Sequence, residues 1–88
     1  MDGDALVDVA AGISSREEFI QFLSELSANL ASHGDEWENG SLELFLGAMK
    51  RFTERADGYY QDIGEAIDCD KPSWRLFADI LLAAKVYE

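Results

Sequence analysis

Phe19, Phe22, Leu23, Leu26 and Leu30 recur at three- and four-residue spacing. A chain that repeats this pattern is predicted to fold as helices, each burying one apolar stripe. The pattern returns at Leu42, Phe45, Leu46, Met49 and Phe52, and again at Trp74, Phe77, Ala78, Leu81 and Leu82. A strand period is absent. Start signals stand ahead of each stripe. Ser14 and Ser15 each precede a glutamate by three residues, Glu17 and Glu18, which is the spacing of a capping box. Asn39 or Ser41 can cap the second helix, and Asp70 or Ser73 the last, with Pro72 expected in its first turn. Gly34 and Asp57-Gly58 read as stops.

Between Asp57 and Lys71 no period is sustained, yet Tyr59, Tyr60, Ile63 and Ile67 could anchor the segment. Structureless connections longer than roughly 12–15 residues are uncommon in compact domains. An ordered loop is therefore expected, with one helical turn near Gly64 to Ile67. Residues 4–11 could make a short helix, but Gly3 and Gly12 bracket them and their apolar residues lack a clear face, so residues 1–13 read as a flexible N-terminal segment. Residues 14–88 read as a single helical domain. The fold class that follows is all-α: a small three- or four-helix bundle with an ordered loop between the last two helices.

The chain has 88 residues, 48% of them apolar, with ten aromatic side chains. That suffices for one packed core and not for two. The net charge is −11 and is unevenly placed: residues 1–44 carry ten acids against Arg16, whereas residues 45–88 carry eight acids against six bases. Such a field repels phosphate backbones and anionic membrane surfaces, so neither nucleic acid nor membrane is an expected partner. A basic protein is. A single cysteine, no signal-peptide pattern and no long apolar run together predict a cytoplasmic protein.

Enzymatic chemistry is not expected. The single histidine, His33, sits at a helix end where a structural role with the helix dipole suffices. Cys69 lies between Asp68 and Asp70, which disfavour its thiolate. The acids at 35–38 and 57–70 do not match the spacing of a calcium loop, and no glycine-rich phosphate loop is present, so neither metal nor cofactor is expected. Trp74 and Phe77 read as core. Trp37, Tyr59 and Tyr60 fall in connectors and are flanked by Glu36, Glu38, Asp57 and Asp62. Together, Asp35, Glu36, Trp37, Glu38, Tyr59 and Tyr60 form a candidate partner-binding set, provided the fold brings the two connectors together.

Trp37-Glu38-Asn39, Leu42, Phe45-Leu46 with Ala48-Met49, Gly58-Tyr59-Tyr60, Pro72-Ser73-Trp74, and Phe77 to Leu81 with Ala83 to Glu88 make a long signature. It resembles a family of small bacterial proteins of unknown function, over about residues 15 to 88. The resemblance implies a bacterial source and supplies no activity. Small acidic families include immunity proteins that neutralise toxins, which is an analogy of type. The expected function is an acidic protein-interaction module that binds a basic protein partner, immunity-like by that analogy. The alternative is a structural or homo-oligomeric protein that buries Leu81, Leu82, Val86 and Tyr87 against a second copy.

Overall fold

The computed structural model of the protein describes residues 3–87, and the Met1, Asp2 and Glu88 parts of the sequence reading lie outside them. Four α-helices follow in order: α1 (Gly3–Ala11), α2 (Arg16–His33), α3 (Leu42–Asp62) and α4 (Trp74–Ala84). A single 3-10 turn, Gly34–Glu36, follows α2. No strand occurs among the described residues. The architecture is the all-α bundle that the stripes predict, with an ordered loop between α3 and α4. Among the described residues no helix is long and apolar enough to cross a membrane.

Each main helix opens on a serine whose hydroxyl accepts an otherwise unpaired backbone N–H. Ser15 Oγ accepts from the Glu18 N–H, and Glu18 Oε1 accepts from the Ser14 N–H at 3.1 Å and from both serine hydroxyls, so where two capping boxes were expected one forms, closing on the residue before the cap. Ser41 accepts from Leu44 at 3.2 Å and Ser73 from Leu76 at 3.0 Å. Pro72 therefore sits just before the cap, not within the first turn.

Where described, the N-terminal segment takes the helical option instead of a lead-in: it forms α1, and its Leu6 and Ala10 are fully buried. Its apolar face was obscured because Val7 and Ala11 point to solvent between the buried positions. The second helix does not stop at Asp57-Gly58. It runs on to Asp62, and the expected turn at 64–67 does not form. Glycine inside a helix costs about 1 kcal/mol. Burial of Ala56 and Tyr60 on either side of Gly58 outweighs that cost. The chain turns off the helix just past its Ile63 cap at Gly64, whose φ of +74° is the left-handed conformation that glycine adopts without strain.

The helix α4 is the hub. It packs against α1, α2 and α3, whereas, among the described helices, α3 packs against α4 alone. One apolar cluster joins Leu6, Ala10, Ile13, Phe22 and Leu26 to Ala78; the other joins Phe52, Ala56 and Tyr60 to Leu76 and Ile80. Trp74 and Phe77, expected in the core, are exposed at its rim, where Phe19 contacts both rings at 5.3 and 6.3 Å. Of the residues offered for a self-association face, Leu81, Leu82 and Tyr87 pack against these clusters and only Val86 is exposed.

At 1.5 Å per residue, α3 is about 31 Å long and α4 about 16 Å. Phe52 meets Tyr87 just beyond α4, while Tyr60 meets Asp79 within it, so the two helices run antiparallel and the first turns of α3 overhang the end of α4. Leu42 and Leu46, expected on the inward stripe, are 73% and 53% exposed for this reason.

Because Leu6 is fully enclosed, Leu6→Ala is expected to destabilise the fold by about 2–5 kcal/mol, while the exposed Val7→Ala changes it little. Urea denaturation of both variants checks this. Equal stability of the two would show that α1 does not belong to the core.

Candidate protein-binding site

The segment that follows α2 is shaped by what it must reach. The Trp37 indole Nε1 donates to Asn29 Oδ1 at 2.8 Å, its ring stacks on Phe45 at 6.0 Å, and the Lys85 ammonium lies 5.7 Å from its centroid. Asn39 then clamps α4: its backbone N–H donates to the Lys85 carbonyl at 3.1 Å, and its Nδ2 donates to the Ala84 and Tyr87 carbonyls at 2.9 and 2.8 Å. The Ala84 and Lys85 carbonyls lie at the end of α4, where no helical N–H is left to satisfy them, and the Tyr87 carbonyl lies just beyond it. Asn39 is thus a C-terminal clamp for α4 and not the N-cap of α3.

With the backbone held on both sides of them, Asp35, Glu36 and Glu38 project into solvent. Among the described residues none of the three joins an ion pair. Beside them, between α2 and α3, lies an open pocket of about 300 Å3 lined by Leu30, Trp37, Leu42 and Phe45. The sequence reading missed Leu30, Leu42 and Phe45 because it assigned them to inward stripes. The signal available was the acid-rich, short connector, which cannot cover two helix ends at once.

The tyrosine pair divides. Tyr60 is 1% exposed, and its hydroxyl donates to Asp79 Oδ2 at 2.6 Å, so it is no part of a binding surface. Asp79 Oδ2 also accepts from Arg75 Nε at 3.3 Å, and Arg75 reaches Glu65 at 3.6 Å while its guanidinium lies over the Tyr60 ring. Tyr59 is 36% exposed. It rests edge-on against Phe52 and lines a separate groove with Val7, Leu82 and Val86. Fourteen residues separate Phe45 from Tyr59 on one helix, about 21 Å along its axis. The fold therefore sets the Trp37 connector and Tyr59 apart instead of bringing them together.

The electrostatics of these groups are structural in character. Burial pushes Asp79 above the usual aspartate range, with the Tyr60 hydroxyl and Arg75 acting in the opposite direction. Burial, and then Asp79, push the Tyr60 hydroxyl up. Cys69 is pushed up to about 11, first by burial and then by Asp57, with Asp68 and Asp70 adding to it. Its thiolate is therefore scarce at neutral pH. Among the described residues no group of three or more histidine, cysteine or carboxylate side chains could hold a metal ion.

A profile of a family of unknown function, DUF7660, matches residues 15–88. The chain belongs to the DUF7660 family. No curated protein and no solved structure matches it. The DUF7660 segment contains α2, α3, α4, the Asn39 clamp and the Tyr60–Asp79 pair, and it leaves α1 outside although α1 fills part of the core. Within the segment, Trp37, Asn39, Tyr60 and Asp79 are accounted for by the contacts that hold α4 in place.

Two variants test that wiring. Asn39→Ala leaves two carbonyls without their donor and is expected to cost about 1–3 kcal/mol, and Asn39→Asp at least as much, because a carboxylate cannot donate and meets the negative helix end. Denaturant titration measures both; an Asn39→Asp variant as stable as the parent would remove the clamp. In Tyr60→Phe, Asp79 loses the donor that favours its charge and moves further up. A proton held more tightly in the folded than in the unfolded state stabilises the fold at acid pH. That stabilisation is lost as pH rises from the ordinary aspartate value through the raised one. Tyr60→Phe is therefore expected to be destabilised by about 1.5–3 kcal/mol at neutral pH and by less in acid. Melting curves across that range check the slope, and a parallel profile would contradict it.

Proposed function

We propose that this chain is an acidic protein-interaction module, without enzymatic activity, that binds a basic protein through Asp35, Glu36, Trp37 and Glu38. The observation that carries the reading is the acidic triple, exposed and free of ion pairs, beside a tryptophan fixed on three sides and an open apolar pocket. A fixed aromatic loses little conformational freedom when a partner covers it. Exposed carboxylates in a chain of net charge −11 steer a cationic surface towards it. Tyr60 drops out of the binding set because it is buried, and Tyr59 faces its own groove.

An inhibitor that covers a basic enzyme, as immunity proteins do, is a setting that suits this chemistry, and a bacterial cytoplasm is part of the same proposal. Self-association is the second reading. It draws on exposed Leu42, Leu44 and Leu46, and it must overcome the repulsion of two chains that each carry −11.

Capture from a lysate of the source cells at low and moderate salt tests the first reading. A basic protein is expected to be retained at low salt, weakened by salt, and lost when Asp35, Glu36 and Glu38 are all replaced by lysine. Retention that is indifferent to the triple replacement would remove the proposal.

A further inference from the structure

We infer that the segment of the partner seated here is a cationic amphipathic helix, lying on the apolar surface that runs from α2 onto the overhanging start of α3. The inference rests on the protein-binding reading above and names the chemistry of its occupant.

The surface is built from two features that the fold leaves uncovered. Helix α2 buries Phe22, Leu26 and Asn29, yet it also exposes Ile20, Leu23 and Leu30. At 100° per residue these three fall on one strip, shared with Ser27 and Ala31; no acid of α2 lies on it, and its one charged residue is Arg16, a turn before Ile20 at the end away from the acidic connector. Helix α3 adds Leu42, with Leu46 four residues on and therefore on a neighbouring face. Leu44 is exposed as well, but it projects from nearly the opposite side. The two features meet, because Leu30 and Leu42 line the same pocket over Trp37 and Phe45. They stay open because α2 and α3 do not pack on each other.

Shape and charge then select the occupant. The strip from Ile20 to Leu30 alone spans about 15 Å, and with the α3 overhang it is longer than a turn or a single side chain would fill. An apolar strip read by residues three and four apart is how a helix docks in a groove. Its rim is acidic at Asp35, Glu36, Glu38 and Glu43, all exposed. A second copy would set one such rim against another, whereas a helix with lysine or arginine beside its apolar face would pair with it.

The probe is a fluorescent peptide of about 18 leucine and lysine residues patterned as an amphipathic helix, about 27 Å long. Its comparators are the same residues scrambled and a version with glutamate for lysine. The patterned cationic peptide is expected to bind at least tenfold more tightly than the scrambled one, and the glutamate version not at all. Leu30→Gln with Leu42→Gln is expected to weaken binding about tenfold or more, while Leu44→Gln leaves it unchanged. All three positions are exposed, so thermal melts should match the parent. Equal binding of patterned and scrambled peptides, lost on reversing Asp35, Glu36 and Glu38, would keep the basic-partner reading and overturn the helix. So would binding unaffected by the leucine pair, or no binding of the patterned peptide. Leucine dependence without any effect of the acid reversal would instead sink the basic-partner reading. A dimer in sedimentation of the protein alone, dissolved by the leucine pair, would make a second copy the occupant and overturn the inference.

Discussion

The shortest of the three long-stripe helices bears the whole structure, and the unpaired backbone groups at its ends are the constraint that everything else answers. Helix α4 has eleven residues and contributes side chains to both apolar clusters. A helix that short is not stable alone, since one turn must be fixed before any hydrogen bond repays it. Ser73 holds its first turn and Asn39, from forty-five residues upstream, holds its last. The distant clamp ties the α2–α3 connector to the C-terminus, and it is the reason that connector is rigid enough to present anything. Fold stability and surface presentation therefore share one asparagine.

The second constraint is polar. Tyr60, Asp79, Arg75 and Glu65 form a chain of contacts at the α3–α4 interface, with Asp79 almost buried. A buried carboxylate is costly unless its oxygens are satisfied, and here one hydroxyl and one guanidinium converge on a single oxygen. Such a pairing fixes the register of α3 against α4, because a slip of one residue would strand the charge. That fixed register in turn sets how far α3 overhangs. The exposure of Leu42 and Leu46 is thus a consequence of where Tyr60 must stand.

Much of this was legible in the sequence where the signal is local. Serines at 15, 41 and 73 mark three helix starts, and the stripes mark three helices, because caps and periodicity act within a few residues. The pairing of Arg75 with Asp79 is a four-residue spacing and equally readable. What was not legible depends on lengths and on distant partners. Asp57-Gly58 has the composition of a turn, and only the burial of Ala56 and Tyr60 against α4 keeps it helical. Asn29 looks like a surface residue until the Trp37 indole arrives to satisfy it. The acidic triple was found by charge alone. The leucines beside it were not, because a stripe says which residues share a face and not whether another helix is long enough to cover it.

On the proposed reading, charge and apolar surface divide the work of recognition between distance and contact. Carboxylates act over about 8 Å in physiological salt, so Asp35, Glu36 and Glu38 can orient a cationic partner before it touches. Alone they would hold it weakly, since exposed ion pairs contribute about 0–1 kcal/mol each. The leucines have no reach but gain roughly 25 cal/mol for each Å2 they lose to solvent. In isolation they would invite self-association; a net charge of −11 on each chain opposes it. A surface of this kind discriminates by requiring both properties of one partner: basic residues to approach, and an apolar face to remain.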